Sequence, residues 1–390
     1  MRKWVIGIVV LVVAAAGAFL AFGPAYVERS MNRVVPVPLR ITPVARGFAV
    51  ADMHADTLMW LRDPLTRGDR GQVDLPRLRD GGYALQIFSS VTKTPRGQNY
   101  DANGGDTDNI TALVIAQRQP PRTWTSLLQR SLYHAHKLGA AIAASGDGLR
   151  AIWSPTDLDR LLADRAKGSG GAAPVGAMLS IEGLQSMEGD LANLDRLHAA
   201  GFRMASLTHF FDNDLAGSMH GLKKGGLTPL GRQAVRRMES LGMIVDVAHA
   251  SHATVADILA MAQRPVVSSH GGVQATCKVN RNLTDDEIRG VARTGGVVGI
   301  GDWDAAVCGT TPAKVADAIA HVRDVAGIDH VGLGSDFDGA VTTGFDAGGV
   351  PAIAQALLDR GFGRADVAKV MGGNVLRVVR AGIVPRPAAR

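Results

Sequence analysis

Aromatic residues make up only 5% of this 390-residue chain, and cysteine occurs only twice. The shortage of aromatics, with a net charge of +6 spread along the sequence, excludes the basic, aromatic-studded groove that grips nucleic acid. The densest basic stretch is the tail, with Arg377, Arg380, Arg386 and Arg390. Cys277 and Cys308 are too far apart for a CxxC-type metal site, so a thiolate metal site is excluded. Whether the two pair is left open. Charged residues are also below average at 20%, and with 46% hydrophobic residues this excludes disorder and allows a large core. No internal repeat or low-complexity tract interrupts the chain.

One apolar run stands out. Arg2 and Lys3 precede an uncharged stretch of twenty residues, Trp4 to Gly23, enough to cross a bilayer core as a helix. Basic residues ahead of it predict that the amino end stays in the cytoplasm and the rest is exported. A cleaved signal peptide is the alternative. No cysteine follows the run, which excludes a lipoprotein anchor. Either way the body is expected outside the cytoplasm, held at the inner membrane on its periplasmic side or released into the periplasm. Residues 1–25 are read as the anchor or signal segment and 26–46, with Pro36, Pro38 and Pro43, as a linker. Residues 47–382 are read as one folded body and 383–390 as a basic tail.

From residue 47 onward short apolar runs alternate with amphipathic stretches, as in repeated βα units. Strands are expected at 48–53, 83–90, 175–181, 203–208, 243–248, 265–269, 296–301 and 330–335. Helices are expected at 126–145, 190–200, 229–241, 252–262, 284–293 and 312–326. Gly201 reads as a helix C-cap, and Thr284 with Glu287 as a capping box. The stretches 94–109 and 165–173 read as surface loops, and 364–380 as a closing helix on the exterior. Eight parallel strands with intervening helices predict a (β/α)8 barrel, whose active site lies at the carboxyl ends of its strands.

Six potential metal ligands sit at such ends: His54 and Asp56, Glu182, His249, His270 and Asp336. Residues i and i+2 of a strand share a face, so His54 and Asp56 could hold one metal together. A lone His-x-Asp is otherwise a core histidine with a partner. Glu182 emerges from an apolar strand and must face a cation, a metal or water, and its two oxygens could bridge two metals. A salt bridge at the barrel mouth is the plainer reading. His249 and His270 end consecutive strands and would complete a second site. Imidazole with carboxylate suits zinc. Asp336, in Gly334-Ser335-Asp336-Phe337-Asp338-Gly339, could carry the proton of an activated water to a leaving amine, with Asp338 on the opposite face in a structural role. His209 could hydrogen-bond an oxyanion, and Arg281 could clamp a substrate carboxylate or pair with Asp285 or Asp286. His134, His136, His198, His220, His252, His321 and His330 are read as surface or structural.

The motifs that carry these residues resemble the membrane dipeptidase (renal dipeptidase) family, peptidase family M19. They are DMHADT (52–57), VDLPRLR (73–79), LSIEGLQSMEGDL (179–191), LTH (207–209) and GGLTPLG (225–231). They continue with GMIVDVAHAS (242–251), VVSSH (266–270), Arg281-Asn282, GSDFDG (334–339) and MGGNVLRV (371–378). The resemblance implies two zinc ions per chain, one on His54 and Asp56, one on His249 and His270, with Glu182 bridging. It also implies that His209 and Arg281 contact substrate and that Asp336 lies near the nucleophilic water. The implied substrates are dipeptides with a free carboxyl group, often with tolerance for a D-residue at the carboxyl end. Leu184-Gln185 and the segment FFDNDLAGSMHG after His209 depart from the family pattern, and both should line the pocket.

The expected function is therefore that of a zinc-dependent dipeptidase hydrolysing L-Xaa-L/D-Xaa through a metal-activated hydroxide. A related amidohydrolase acting on N-acyl amino acids, lactams or other small amides is the alternative, followed by a catalytically silent binding protein. Expected partners are a small dipeptide and a membrane through the N-terminal segment, without nucleic acid. A homodimer is compatible with the sequence.

Overall fold

Val175–Ile181 is buried at every position, as a strand enclosed on both faces must be, and the other barrel strands are buried likewise apart from the half-buried Arg203. The computed structural model describes residues 2–167 and 173–384. Five residues of the stretch read as a loop at 165–173, and the tail from 385, lie outside them. The eight strands are β1 (Val50–Ala55), β2 (Tyr83–Phe88), β3 (Val175–Ile181) and β4 (Phe202–Ser206). The others are β5 (Ile244–Asp246), β6 (Val267–Ser268), β7 (Val297–Ile300) and β8 (Val331–Leu333). All neighbours pair in parallel, with Leu85 of β2 opposite Gly176 of β3 and Leu333 of β8 opposite Asp52 of β1. These pairings close the sheet into a (β/α)8 barrel. A short strand at Leu149–Ala151 adds to the edge of β3.

Helices follow the strands where their caps direct them. Thr228, Ser251, Thr284 and Thr311 each accept a hydrogen bond from the backbone N–H three residues on. The Thr284–Glu287 capping box is complete. One buried cluster joins Ile87, Met178, Met204, Ile244 and Val267 of successive strands to Val375, Val378 and Val379 of the closing helix, Asn374–Gly382. That arrangement places the chain's end against the barrel.

The stretch read as a linker, 26–46, is packed against the barrel. A first helix, α1, runs from Arg2 to Met31, and its last turns are built into the barrel. Glu28 is fully buried and accepts hydrogen bonds from Arg62 Nε at 2.6 Å and Arg70 Nε at 2.8 Å. Asn32 Oδ1 accepts the Ala340 N–H, and Arg33–Val34 pairs in parallel with Thr342–Thr343. Val35 and Val37 continue along the same edge through Thr343 O and Gly344 O. The lack of a periodic apolar face disguises these contacts, because charge and backbone hydrogen bonds make them.

Further toward the amino terminus α1 exposes Trp4, Val5, Ile6, Ile8, Leu11 and Phe22. Among the described residues, however, no helix is long and apolar enough to cross a membrane, so the expected transmembrane helix finds no support here. Cys277 and Cys308 are joined by a disulfide with Cα atoms 5.3 Å apart, linking the loops after β6 and β7.

Replacing Thr284 with alanine removes the side-chain half of the capping box and keeps the backbone N–H that donates to Glu287. A loss of about 1 kcal/mol is expected, read as an earlier midpoint in urea with unchanged slope.

Candidate metal centre

The mouth of the barrel gathers its polar side chains within a few residues of strand ends. His54 lies near the end of β1 and Asp56 just past it, while Glu182 follows β3 directly. Gly183 then turns the chain at φ +87°, a conformation that a side chain resists. His209, His249, His270 and Asp336 follow β4, β5, β6 and β8. His249 and Asp336 adopt φ of 63° and 61°, strained for residues with a Cβ and held by the surrounding loops. Asp52 supports the first of these ends. Its Oδ1 accepts the backbone N–H groups of His54 and Ser335, and its Oδ2 the Ser335 hydroxyl. Gly334 in turn lets the Ser269 backbone come close, since a Cβ there would stand 1.8 Å from Ser269 O.

Glu182 divides the site. Its Oε2 lies 3.7 Å from His54 Nε2, while its Oε1 lies 2.8 Å from His249 Nε2 and 3.1 Å from His270 Nε2. His209 Nε2 approaches the same Oε1 at 3.4 Å. On the other side, His54 Nε2 lies 3.6 Å from Asp56 Oδ1 and 3.8 Å from Asp336 Oδ1. All of these side chains are buried. His54 Nε2 and Asp56 Oδ1 have no hydrogen-bond partner among the described residues. A buried pair of orphaned donor and acceptor atoms needs a partner, and the chemistry of the set fits a cation. Three overlapping groups have ligand atoms within 4.8 Å of one another: His54–Asp56–Glu182, Glu182–His209–His249 and His54–His270–Asp336.

The electrostatics divide the same way. Burial disfavours an imidazolium at His54, but Glu182, Asp56 and Asp336 outweigh it and raise its pKa to about 10. Burial holds His249 and His270 well below the ordinary histidine value, with Arg281 adding to the effect, and brings His209 to about 3. These three stay neutral, as metal ligation requires. Burial raises Asp336 to about 7, against the pull of His54, and raises Glu182 well above its usual range. The pocket therefore combines excess negative charge near His54 with neutral ring nitrogens near His249.

Arg281 turns into this site and away from Asp285 and Asp286. Its Nη1 donates to His270 O at 3.0 Å, its Nη2 lies 3.2 Å from His249 Nε2, and its guanidinium sits 4.7 Å from the Trp303 ring centre. Asp338 faces away, accepting from Thr57 Oγ1 at 2.7 Å and Gln72 N at 2.6 Å and pairing with Arg62. His220, read from the sequence as surface or structural, and Trp303, which no motif singled out, lie beside the centre. His220 stacks on Phe210 and stands 5.3 Å from the His249 ring, and Trp303 backs Arg281. His220 lies away from any strand end, and only its place in the segment after His209 hinted at it; Trp303 follows β7 by three residues, but an indole carries no metal-ligand signal. His134 is structural, with Nδ1 2.8 Å from Ser90 Oγ.

If Glu182 is the shared ligand, Glu182→Gln should weaken metal retention tenfold or more by order of magnitude, with the circular dichroism of the barrel unchanged. Metal content measured across pH should fall as pH drops, first on the His54 side, where the raised pKa lets protons compete for the ring nitrogen, and only at lower pH at His249 and His270, which burial keeps neutral. Full metal content in the variant would refute the assignment.

Residues 39–384 match the family model of membrane dipeptidases, peptidase family M19. Dipeptidase aclJ of Aspergillus oryzae is 33% identical over 324 residues, covering 79% of this chain and 69% of its own. Dipeptidase tcpJ of Claviceps purpurea is 31% identical over 330 residues, covering 81% and 70%. Among solved structures, the probable dipeptidase PvdM of Pseudomonas aeruginosa shares the fold with TM-score 0.73 at 21% identity, covering 87% of this chain and 96% of that one. A Rhodobacter sphaeroides metallopeptidase solved with a phosphinate mimic of L-Ala-D-Ala has TM-score 0.69 at 24% identity, covering 86% and 99%. Motifs, fold and site agree, and the chain belongs to the membrane dipeptidase family, peptidase family M19, as a metallo-dipeptidase.

Proposed function

We propose that this chain hydrolyses dipeptides that carry a free carboxyl group, L-Xaa-L-Xaa or L-Xaa-D-Xaa, with two zinc ions. His54 and Asp56 would hold one ion, His249 and His270 the other, and Glu182 both. The observation that carries this reading is the split of Glu182, with one oxygen toward His54 and the other toward His249 and His270. When bound, the zinc pair supplies Lewis acidity to the scissile carbonyl and lowers the pKa of the attacking water.

The chain's own groups do the rest. Asp336 accepts the proton of the attacking water and passes it to the departing amine, a role that its position allows, lining the cavity with Oδ1 3.8 Å from His54 Nε2. His209, neutral and buried, donates from Nε2 to the oxyanion. Its Nδ1 lies 3.4 Å from Lys93 O, a long contact that the tautomer carrying the proton on Nε2 gives up. Arg281, braced by His270 O and Trp303, pairs with the substrate carboxylate. The cavity around these groups measures about 820 Å³, within the range of small-molecule sites.

The body is placed outside the cytoplasm, tethered through α1. Support comes from Arg2 and Lys3 ahead of the apolar run, from its exposed side chains, and from the Cys277–Cys308 disulfide, a bond that persists in oxidising compartments. Externally added protease should reach the body in spheroplasts while cytoplasmic markers stay intact. Protection of the body would refute this placement.

The function is tested with full-length protein, with and without zinc, on L,L- and L,D-dipeptides, a carboxyl-amidated dipeptide, a tripeptide and an N-acyl amino acid. Zinc-dependent cleavage confined to free-carboxyl dipeptides is expected. Arg281→Ala should lower kcat/KM on them roughly 100-fold, the worth of a charge-assisted pair, and leave the amidated compound's low rate nearly unchanged. Cleavage of the N-acyl compound alone would keep the site and move the enzyme to amide substrates of another class.

A further inference from the structure

The end of α1 reaches the cleft itself. Val27, Ser30 and Met31 line the same cavity as Glu182, Arg281 and Asp336. Val27 and Met31 lie four residues apart on one helix face and pack on a cluster of Met59, Trp60, Val91, Ile110 and Val114. The last two belong to α2 (Ile110–Ala116), so the outer cleft has an apolar side made by two helices that are not part of the βα repeat. Ser30 and Arg33 are exposed at its rim.

This side is held in place from behind. Glu28, between Val27 and Met31, is buried and paired with Arg62 and Arg70. Arg62 in turn pairs with Asp338, which also accepts from Thr57 and from the Gln72 backbone. Thr57 follows Asp56, and Asp338 lies two residues beyond Asp336. The pocket-lining helix end and two loops of the metal centre therefore share one buried charge network. A second tie runs from Gln117 Nε2, after α2, to Pro24 O at 3.1 Å.

We propose that the end of α1 is a wall of the substrate cleft. Met31, with Val27, selects dipeptides by the size of the apolar side chain that rests against it, and Glu28 is the positioning residue that fixes the wall. The inference rests on the dipeptidase reading above. It makes the end of the helix that precedes the barrel a determinant of specificity.

The test uses full-length, zinc-loaded protein and the ratio of kcat/KM for dipeptides bearing leucine or phenylalanine to that for alanine, varied at each position in turn. Met31→Ala opens the wall and should shift the ratio toward the bulky side chain by about fivefold or more at one position. Met31→Phe should shift it the opposite way at that same position. Ser30→Tyr, at an exposed rim site that leaves the core intact, should also narrow the preference. Glu28→Gln should raise KM across the series more than it lowers kcat. Ratios that stay fixed in all three wall variants would overturn the inference and leave the dipeptidase reading standing. A wild type that cleaves no dipeptide would overturn both together.

Discussion

Glu182 is a buried carboxylate with one oxygen turned to each half of the site, and the mouth of the barrel is organised by the need to compensate it. No single neighbour does so. The imidazoles of His249 and His270 are neutral for want of solvent, and Asp56 and Asp336 add negative charge on the other side. A carboxylate in that setting is costly unless a cation joins it. The orphaned Nε2 of His54 and Oδ1 of Asp56 mark where positive charge is wanted.

That demand explains the backbone around it. His249 and Asp336 occupy the left-handed region, which costs about 1–3 kcal/mol each in residues of this kind. The strain is sustained by bonds that over-determine the loops. Asp52 binds Ser335 and the His54 backbone, Asp246 accepts from Ala248 and Ser269, and Asp336 N donates to His54 O. Strand ends otherwise tolerant of change become a frame that aims several side chains at one point.

Much of the barrel was legible because parallel strands enclosed on both faces read as apolar runs, and helices between them carry caps. The stretches expected at 229–241 and 312–326 coincide with Pro229–Leu241 and Pro312–Ala326, where Thr228 and Thr311 set the start. Strands of two or three residues, Arg33–Val34 and Leu149–Ala151, left no periodic signal. The stretch 26–46 gave no helix or strand signal for another reason. Its hold on the barrel comes from Glu28 with Arg62 and Arg70 and from a parallel backbone pairing, neither of which shows as an apolar face.

The sequence by itself determined the class of fold, the candidate ligands and their chemistry, since hydrophobic period and residue type are local properties of the chain. Tertiary structure alone decided which atoms meet. It turned Arg281 toward His249 instead of Asp285, joined Cys277 to Cys308, and brought His220 and Trp303 beside the centre. It also carried Met31 and Val27 into the cleft on a helix anchored through Glu28. These are contacts between residues tens to hundreds of positions apart, and only closure of the barrel, which sets the distance between its loops, could fix them.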